Sequence, residues 1–543
     1  MVTKLNGRAL RLTSVIFVII CLTFLLRYVM NLEQQMNLRK EQEEEQARLS
    51  LKEEKEKEMQ LRIDMALERE RERLEEVNER RAILEPQLSL QNTNIKDLQE
   101  RYFLAIPSPI PEWSDSTLEL LTSPLGQQIK ADLLTVPEIF PDFKTLTTQE
   151  RVFKSVFQYL DPILAEGKID VTTDPRYKPI WDFYKSLETT IYPWIQPYWK
   201  SVFDINNRKK EDKDDSNSDI GKSKRGIVMC VGNGQFQHAA SSVKAIREIL
   251  KSDLPIEIFY INTYDLAKEY IDFFNAIPHV STHDISKRID NYYTQFGGWA
   301  LKPYAILASQ FQEVILMDAD VFMFKKPETF FEDDGYKATG ALFFLDRTLF
   351  NNYHQGRKWL KSFLPTHSTY VKQSRWWKTT STHEQESGII VIDKKKALFG
   401  LLATCKMNDK QERDKVSYTH SYGDKETFWI GFEMMQTPYA FVKSHGAVIG
   451  GLGDAGAEGT VCGNQLHLDL RDNRPWWWNG GILRDKNKWD DRYLKFTHYA
   501  EGEDWQFETS CIKEKDKIRE LSTQEKQIGA LLIKMDKELK GRS

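Results

Sequence analysis

Two aspartates one residue apart, Asp318 and Asp320, close the run Glu313-Val314-Ile315-Leu316-Met317-Asp318-Ala319-Asp320. An apolar, partly β-branched run of four reads as a buried strand that ends where its charges reach a cleft. Side chains alternate along a strand, so both aspartates are expected on one face and Ala319 on the other. Two hard oxygen donors at the mouth of a sheet suit Mg²⁺ or Mn²⁺ carrying a diphosphate. Phe324-Lys325-Lys326-Pro327-Glu328 then leaves the strand at once, as a loop over a ligand would. Paired carboxylates also cleave glycosidic bonds, and strand geometry spaces this pair about 6–7 Å apart at Cα. However, the two emerge side by side rather than flanking a substrate, which favours the metal.

These residues need a scaffold, and the surrounding sequence supplies one. Residues 226–231 read as a strand, Gly232-Asn233-Gly234 as a tight turn and residues 238–250 as a helix. Residues 256–261 read as a second strand, and a helix over 299–311 feeds the strand at 314–317. Alternating β and α units predict a mostly parallel sheet with ligands at the carboxyl ends of its strands. The turn at 232–234 is not the six-residue dinucleotide fingerprint, so NAD binding is not supported.

With 543 residues, 41% of them hydrophobic and 14 of them Trp, the chain has room for two or more domains and a sizeable core. Its 76 basic and 80 acidic residues leave a net charge of −4, which argues against nucleic-acid binding. Residues 12–30 are apolar, and a helix of that length spans about 28 Å. Lys4, Arg8 and Arg11 precede it, and Arg27-Tyr28-Val29-Met30 offers no small-x-small cleavage site. The segment therefore reads as a retained signal anchor with residues 1–11 cytosolic and the remainder in the secretory lumen. Four cysteines follow the anchor, Cys230, Cys405, Cys462 and Cys511. They allow one or two disulfides, and Cys230, in a strand, reads equally well as a buried thiol.

Residues 31–85 are rich in Glu, Lys, Arg and Gln, and Gln60, Glu70 and Arg81 interrupt a weak heptad seam. A solvated helical stem ending near Pro86 is expected, with its boundary set at residue 100. Residues 101–222 are expected to be a Pro-punctuated, aromatic helical region and a linker. Residues 223–510 are expected to form the domain that carries chemistry, and 511–543 a charged C-terminal helix.

Five ordered blocks point further. They are Leu301-Lys302-Pro303-Tyr304, the Asp318–Asp320 strand, Gly340-Ala341-Leu342-Phe343-Phe344, Glu386-Ser387-Gly388-Ile389-Ile390-Val391-Ile392-Asp393 and Gly423-Asp424-Lys425-Glu426-Thr427-Phe428-Trp429. Together they resemble the fungal Golgi α-mannosyltransferases, most of all the α-1,3 branch, over roughly residues 225–500. The resemblance implies a GT-A-like, Rossmann-type α/β domain behind a membrane anchor and helical stem. It also implies GDP-mannose as donor, Mn²⁺ or another divalent cation as cofactor, and transfer with retention to mannose-terminated N- or O-linked glycans. The protein would be single-pass type II in the Golgi membrane, with mannosylated glycoproteins as partners and an oligomer forming through the stem. An α-1,2 linkage is the alternative within the family; a lumenal glycosidase or a non-catalytic tether are the alternatives outside it.

On that reading Asp318 and Asp320 hold the metal against the phosphates, and Gly232, Asn233 and Gly234 let backbone approach the nucleotide. Lys302 places an ammonium on the diphosphate. Asp424, Glu426 and Glu386 are the candidates to bind mannose hydroxyls, stabilise the cationic sugar centre or activate the acceptor. His467 and His498 are candidates to complete the metal shell, as related transferases use a late histidine. Three consecutive Trp, 476–478, are expected not all to face a core, leaving one as a sugar-stacking wall.

Overall fold

The computed structural model describes residues 95–107, 115–135, 141–206, 223–454, 458–488, 491–512 and 514–541, with scattered helical positions between 22 and 60. The chain separates into two units, Met1–Pro86 and Gln87–Ser543. Most of the expected anchor at 12–30, most of the stem and the linker at 207–222 lie outside the described residues. Among the described residues, no helix is long and apolar enough to cross a membrane.

Among the described residues of the second unit there are sixteen strands. They are β1 (Tyr102–Ala105), β2 (Arg225–Cys230), β3 (Ile256–Tyr260), β4 (Val280–Asp284), β5 (Glu313–Met317), β6 (Phe322–Met323), β7 (Ala341–Leu345) and β8 (Gln385–Asp393), followed by β9 (Tyr439–Val442), β10 (Ala447–Leu452), β11 (Val461–Asp469), β12 (Arg474–Asn479), β13 (His498–Ala500), β14 (Trp505–Gln506), β15 (Cys511–Ile512) and β16 (Ile518–Glu520). The main sheet runs β1-β9-β7-β8-β5-β2-β3-β4. Strands β5, β2, β3 and β4 are parallel, and β8 joins β5 antiparallel. The sheet is thus mixed, parallel where sequence alternation predicted it.

Strand β5 shows why the sequence folds this way. Val314 and Leu316 face one core, while Ile315 and Met317 face another. Strand β8 repeats the pattern with Ile390 and Ile392 against Ile389 and Val391. Both strands are covered on both sides, so their apolar runs are continuous rather than alternating. Burying each such side chain contributes roughly 1.5–3 kcal/mol.

The region before the linker was expected to be helical, and it is so only in part. Helices Phe143–Glu166 and Lys178–Ile191 pack into the first core together with Trp194 and Trp199. However, Tyr102–Ala105 is a strand that pairs antiparallel with β9, and Leu98, expected in the stem, is buried beneath it. This short strand therefore closes one edge of the main sheet.

A second, antiparallel sheet runs β14-β15-β11-β10-β13-β16, with β12 pairing β11 and β6. A Cys462–Cys511 disulfide ties β11 to β15, while Cys230 and Cys405 are free. The tail from 511, expected to be one helix, gives β15 and β16 before a capped helix at Thr523–Lys540. That helix is docked: Asp536 accepts hydrogen bonds from Ser241 at 2.9 Å and Tyr493 at 2.9 Å, and Leu532 and Met535 enter a core.

Candidate active site

Parallel strands end together, so the loops after β2, β3 and β5 share one edge of the sheet, where ligands of open α/β sheets bind. Strand β5 stops at Met317, and Asp318 to Val321 form a turn closed by the Val321 amide on the Asp318 carbonyl at 3.2 Å. The two aspartates therefore lie just past the strand, not on one face within it. Asp318 turns to Lys302, and Asp320 pairs with Lys486.

Lys302 lies in the first turn of helix Leu301–Ala308 and is buried. Its Nζ stands 2.8 Å from Asp318 Oδ1, 3.3 Å from Ser387 Oγ and 3.6 Å from Asp424 Oδ2. Burial opposes its charge, but Asp318 and Asp424 outweigh that and hold the ammonium above its ordinary range. Asp318 is pushed up to about 7, first by burial and then by the charges of Asp320 and Asp424, with Lys302 opposing. Asp424 is raised by burial. It sits at the N-cap of helix Lys425–Met434, yet its side chain makes no capping bond, and Oδ2 has no hydrogen-bond partner in the protein. A buried carboxylate oxygen held only by the longer ion pair with Lys302 still has room for a hydrogen bond from a ligand.

Strand β8 runs opposite to β5, and the Asp318 amide donates to the Gly388 carbonyl at 2.9 Å. This brings Glu386 and Ser387 to the same mouth. Glu386 Oε1 accepts from the Gly388 amide at 2.7 Å and from Asn479 Nδ2 at 2.9 Å, and burial raises its pKa. A Cβ on Gly388 would meet Asn479 and Glu386 at 2.9 Å and Trp477 at 3.1 Å, so glycine is what lets β12 approach.

Glu426 behaves differently. Its Oε1 accepts from the Glu384 amide at 2.8 Å and its Oε2 from Trp429 Nε1 at 2.6 Å. Oε1 thus holds the approach to β8 and Oε2 a tryptophan of its own helix, so both oxygens of this candidate are occupied within the fold. Burial pushes it up to about 8. The Gly232–Gly234 turn lies at the carboxyl end of β2, where a Cβ on Gly232 would stand 2.6 Å from Asp265 Oδ1. Asn233 is occupied with the neighbouring loop, donating to the Tyr264 carbonyl at 3.0 Å and accepting from the Ala267 amide at 2.8 Å.

Neither candidate histidine joins the aspartates. His467 is wholly buried, stacked 4.1 Å from Trp477, and both ring nitrogens lack partners. Burial pushes it down to about 3, leaving a neutral core ring. His498 lies on β13 with Nδ1 3.0 Å from Thr497 Oγ1. Among the described residues, no three His, Cys, Asp or Glu gather as a metal set. The histidine beside Asp320 is His238: a Cβ on Gly481 would stand 3.9 Å from its Nδ1 and 4.0 Å from Asp320 Cβ. Its only sequence signal was its place at the start of the helix after the Gly232–Gly234 turn.

All three tryptophans of 476–478 are buried, against expectation. Trp476 and Trp477 enter the core under the main sheet, and Trp478 enters the core of the second sheet. The strand is covered on both faces, so alternation exposes none of them. Asn464 Nδ2 donates to the carbonyls of Gly480, Gly481 and Leu483 and fixes the turn that follows.

A second charged cluster adjoins Glu386. Asp346 accepts from Lys425 at 2.6 Å and Gln465 at 3.0 Å, and His383 contacts Lys425. Burial works against the Asp346 carboxylate, but Lys425, His383 and Arg347 hold it well below the usual range.

Residues 224–469 match the family described as "Mannosyltransferase putative". The chain is 26% identical over 308 residues to the α-1,3-mannosyltransferase MNT2 of Saccharomyces cerevisiae, covering 50% of this chain and 54% of that one. It is 26% identical over 297 residues to MNT3 of the same yeast, named likewise, covering 48% and 46%. Across the first four relatives the matches span only 36–54% of their own length. The solved mannosyltransferase Ktr4p of S. cerevisiae aligns over 41% of this chain and 68% of its own, at 13% identity and a TM-score of 0.27.

Proposed function

We propose that this chain, whose residues 224–469 match a mannosyltransferase family, transfers mannose from GDP-mannose to a mannose-terminated glycan and forms an α-1,3 linkage with retention. The observation that carries the reading is the open charged cluster, in which Lys302 pairs with both Asp318 and Asp424, with Asp320 and Glu386 alongside. The mixed α/β sheet with that cluster at the ends of parallel strands supports a GT-A-like domain.

The donor set fits a hard divalent cation. Such ions are held through one or two carboxylates, with substrate phosphates completing the shell, so no preassembled three-ligand group is required. Asp318 and Asp320 are the residues that would hold Mn²⁺. When bound, the ion offsets charge on the departing diphosphate. Lys302 sets a fixed ammonium beside the same oxygens at no cost of reorganisation. The open Oδ2 of Asp424 accepts a hydrogen bond from a donor-sugar hydroxyl. Glu386, held by the Gly388 amide and Asn479, orients toward the reacting centre. In the reaction, the bond from mannose C1 to the diphosphate oxygen breaks, and C1 bonds to the acceptor oxygen. The acceptor proton leaves with GDP.

The Cys462–Cys511 disulfide supports an oxidising compartment. Together with the apolar segment at 12–30, it supports a type II placement in the Golgi membrane with this unit lumenal. The test incubates the full chain with GDP-mannose, Mn²⁺ and short α-mannosides, and determines the product linkage by NMR. An α-1,3 product is expected. An α-1,2 product would move the chain to the other branch, and folded protein that transfers no mannose would overturn the reading.

A further inference from the structure

Four large aromatic side chains beside the charged clusters are exposed: Trp299 at 48%, Tyr422 at 70%, Phe350 at 55% and Phe507 at 52%. They are not scattered. Trp299 contacts Tyr422 at 5.4 Å between ring centroids, Tyr422 contacts His383 at 6.3 Å, His383 contacts Phe350 at 5.9 Å, and Phe350 contacts Phe507 at 5.3 Å. The run begins at the candidate active site. Trp299 stands three residues before Lys302, and Tyr422 two before Asp424. Lys425, bonded to Asp346, lies 5.8 Å from the Tyr422 centroid.

The backbone holds these rings outward. Gly423 adopts φ +75°, and a Cβ there would stand 2.7 Å from Trp299 Cε3, so only glycine lets Trp299 pack over this loop. Phe350 has φ +54°, a left-handed conformation that is costly for a bulky residue. It is held on both sides, by the Leu349 amide on Ser381 Oγ at 3.1 Å and the Asn352 amide on the Thr379 carbonyl at 2.7 Å. An exposed ring at a strained position, as Phe350 is, gains nothing for folding.

We infer that Trp299, Tyr422, His383, Phe350 and Phe507 form an acceptor track that binds a neutral oligosaccharide longer than one sugar. A pyranose presents an apolar C–H face with hydroxyls at its rim. The track matches it with planar faces and with polar groups, His383 and Lys425, set among them. This inference rests on the transferase reading and adds which part of the substrate the protein measures.

The test compares transfer from GDP-mannose to α-mannosides of one to four units by the full chain and by the variant Phe350→Ala/Phe507→Ala. In the parent, KM falls as the acceptor lengthens. In the variant, KM for the longest acceptor rises roughly tenfold. Its kinetics with the shortest acceptor and its acceptor-free hydrolysis of GDP-mannose stay unchanged. If the length dependence survives in the variant, the track is wrong. Binding of α-mannotetraose is also followed by tryptophan fluorescence and saturation-transfer NMR, without donor. Binding that the variant loses supports the track even if no transfer is found, which would instead sink the transferase reading. Absence of binding by the parent, or preference for a sugar-free acceptor peptide, overturns the track.

Discussion

Two buried lysines on helices packed against each other carry nearly the same electrostatics and serve different ends. Lys302 and Lys406 side chains are each 8% exposed, and acidic neighbours hold each above its ordinary range against the effect of burial. Each faces an aspartate that burial pushes up to about 7, Asp318 or Asp409. Around Lys406 the ammonium is shared between two carboxylates. Asp409 accepts from Lys406 at 2.9 Å and from Tyr304, and Glu412 stands 2.8 Å from the same ammonium. The Asp409 side chain is 4% exposed, that of Asp318 24%. Around Lys302, Asp424 keeps an open oxygen and two more carboxylates stand near. A perturbed pKa therefore does not separate site from scaffold here. Oxygens without a hydrogen bond occur on both sides, on Glu412 and Glu150 as on Asp424, so what separates the clusters is the way in from solvent at Asp318.

The comparison breaks most visibly at Lys406. Lys406→Met leaves Asp409 and Glu412 without their cation, and the expected cost is about 3–5 kcal/mol of stability. Urea unfolding measures that loss, while the KM for GDP-mannose of the molecules that remain folded stays put. Asp318→Asn is expected to do the reverse, lowering kcat by roughly 10²–10³-fold with an unfolding midpoint close to that of the parent. Should Asp318→Asn unfold the protein, or Lys406→Met silence folded molecules, the two clusters would not differ in kind.

Chemistry local to one segment was legible in the sequence, and chemistry assembled across segments was not. The Asp318–Asp320 pair, the helix that carries Lys302 and the opening of β8 at Glu386 each sit in one contiguous signature. Asp424 and Glu426 looked alike because spacing alone cannot show that Glu426 spends both oxygens on Glu384 and Trp429. The three tryptophans misled because alternation assumes a strand with one wet face, and β12 has none. Residue type cannot choose between His238, His467 and His498 without the fold. Strand β1 was hidden because its partner β9 lies more than three hundred residues away.

A smaller effect sharpens the contrast at the hydroxyl that closes one cluster. Tyr304→Phe removes the donor to Asp409, and the buried acceptor then loses about 1–3 kcal/mol. Asp424→Asn removes a charge from the open cluster instead. Its unfolding free energy is expected to stay within about 1 kcal/mol of the parent, while transfer falls. A calorimetric comparison of the pair, run beside the transfer assay, separates the two losses.

The gentlest lever is pH, and it acts on the closed side. Glu150 is wholly buried near Lys406 and Glu412; its Oε1 accepts from Tyr192 at 3.2 Å, and its Oε2 has no partner. Burial, the largest influence, pushes its pKa up to about 8. Its unfolded value is ordinary, near 4.5, so the folded state binds the proton more tightly. The resulting stability is complete below about pH 4.5 and declines as pH rises toward 8, above which no more is lost. Urea midpoints between pH 5 and 9 should therefore fall with pH in the parent and fall less in Glu150→Gln, whose neutral amide has no proton to lose. Equal slopes in the two proteins would mean that Glu150 is ionised in the fold, and that the cluster around Lys406 is less sealed than its geometry implies.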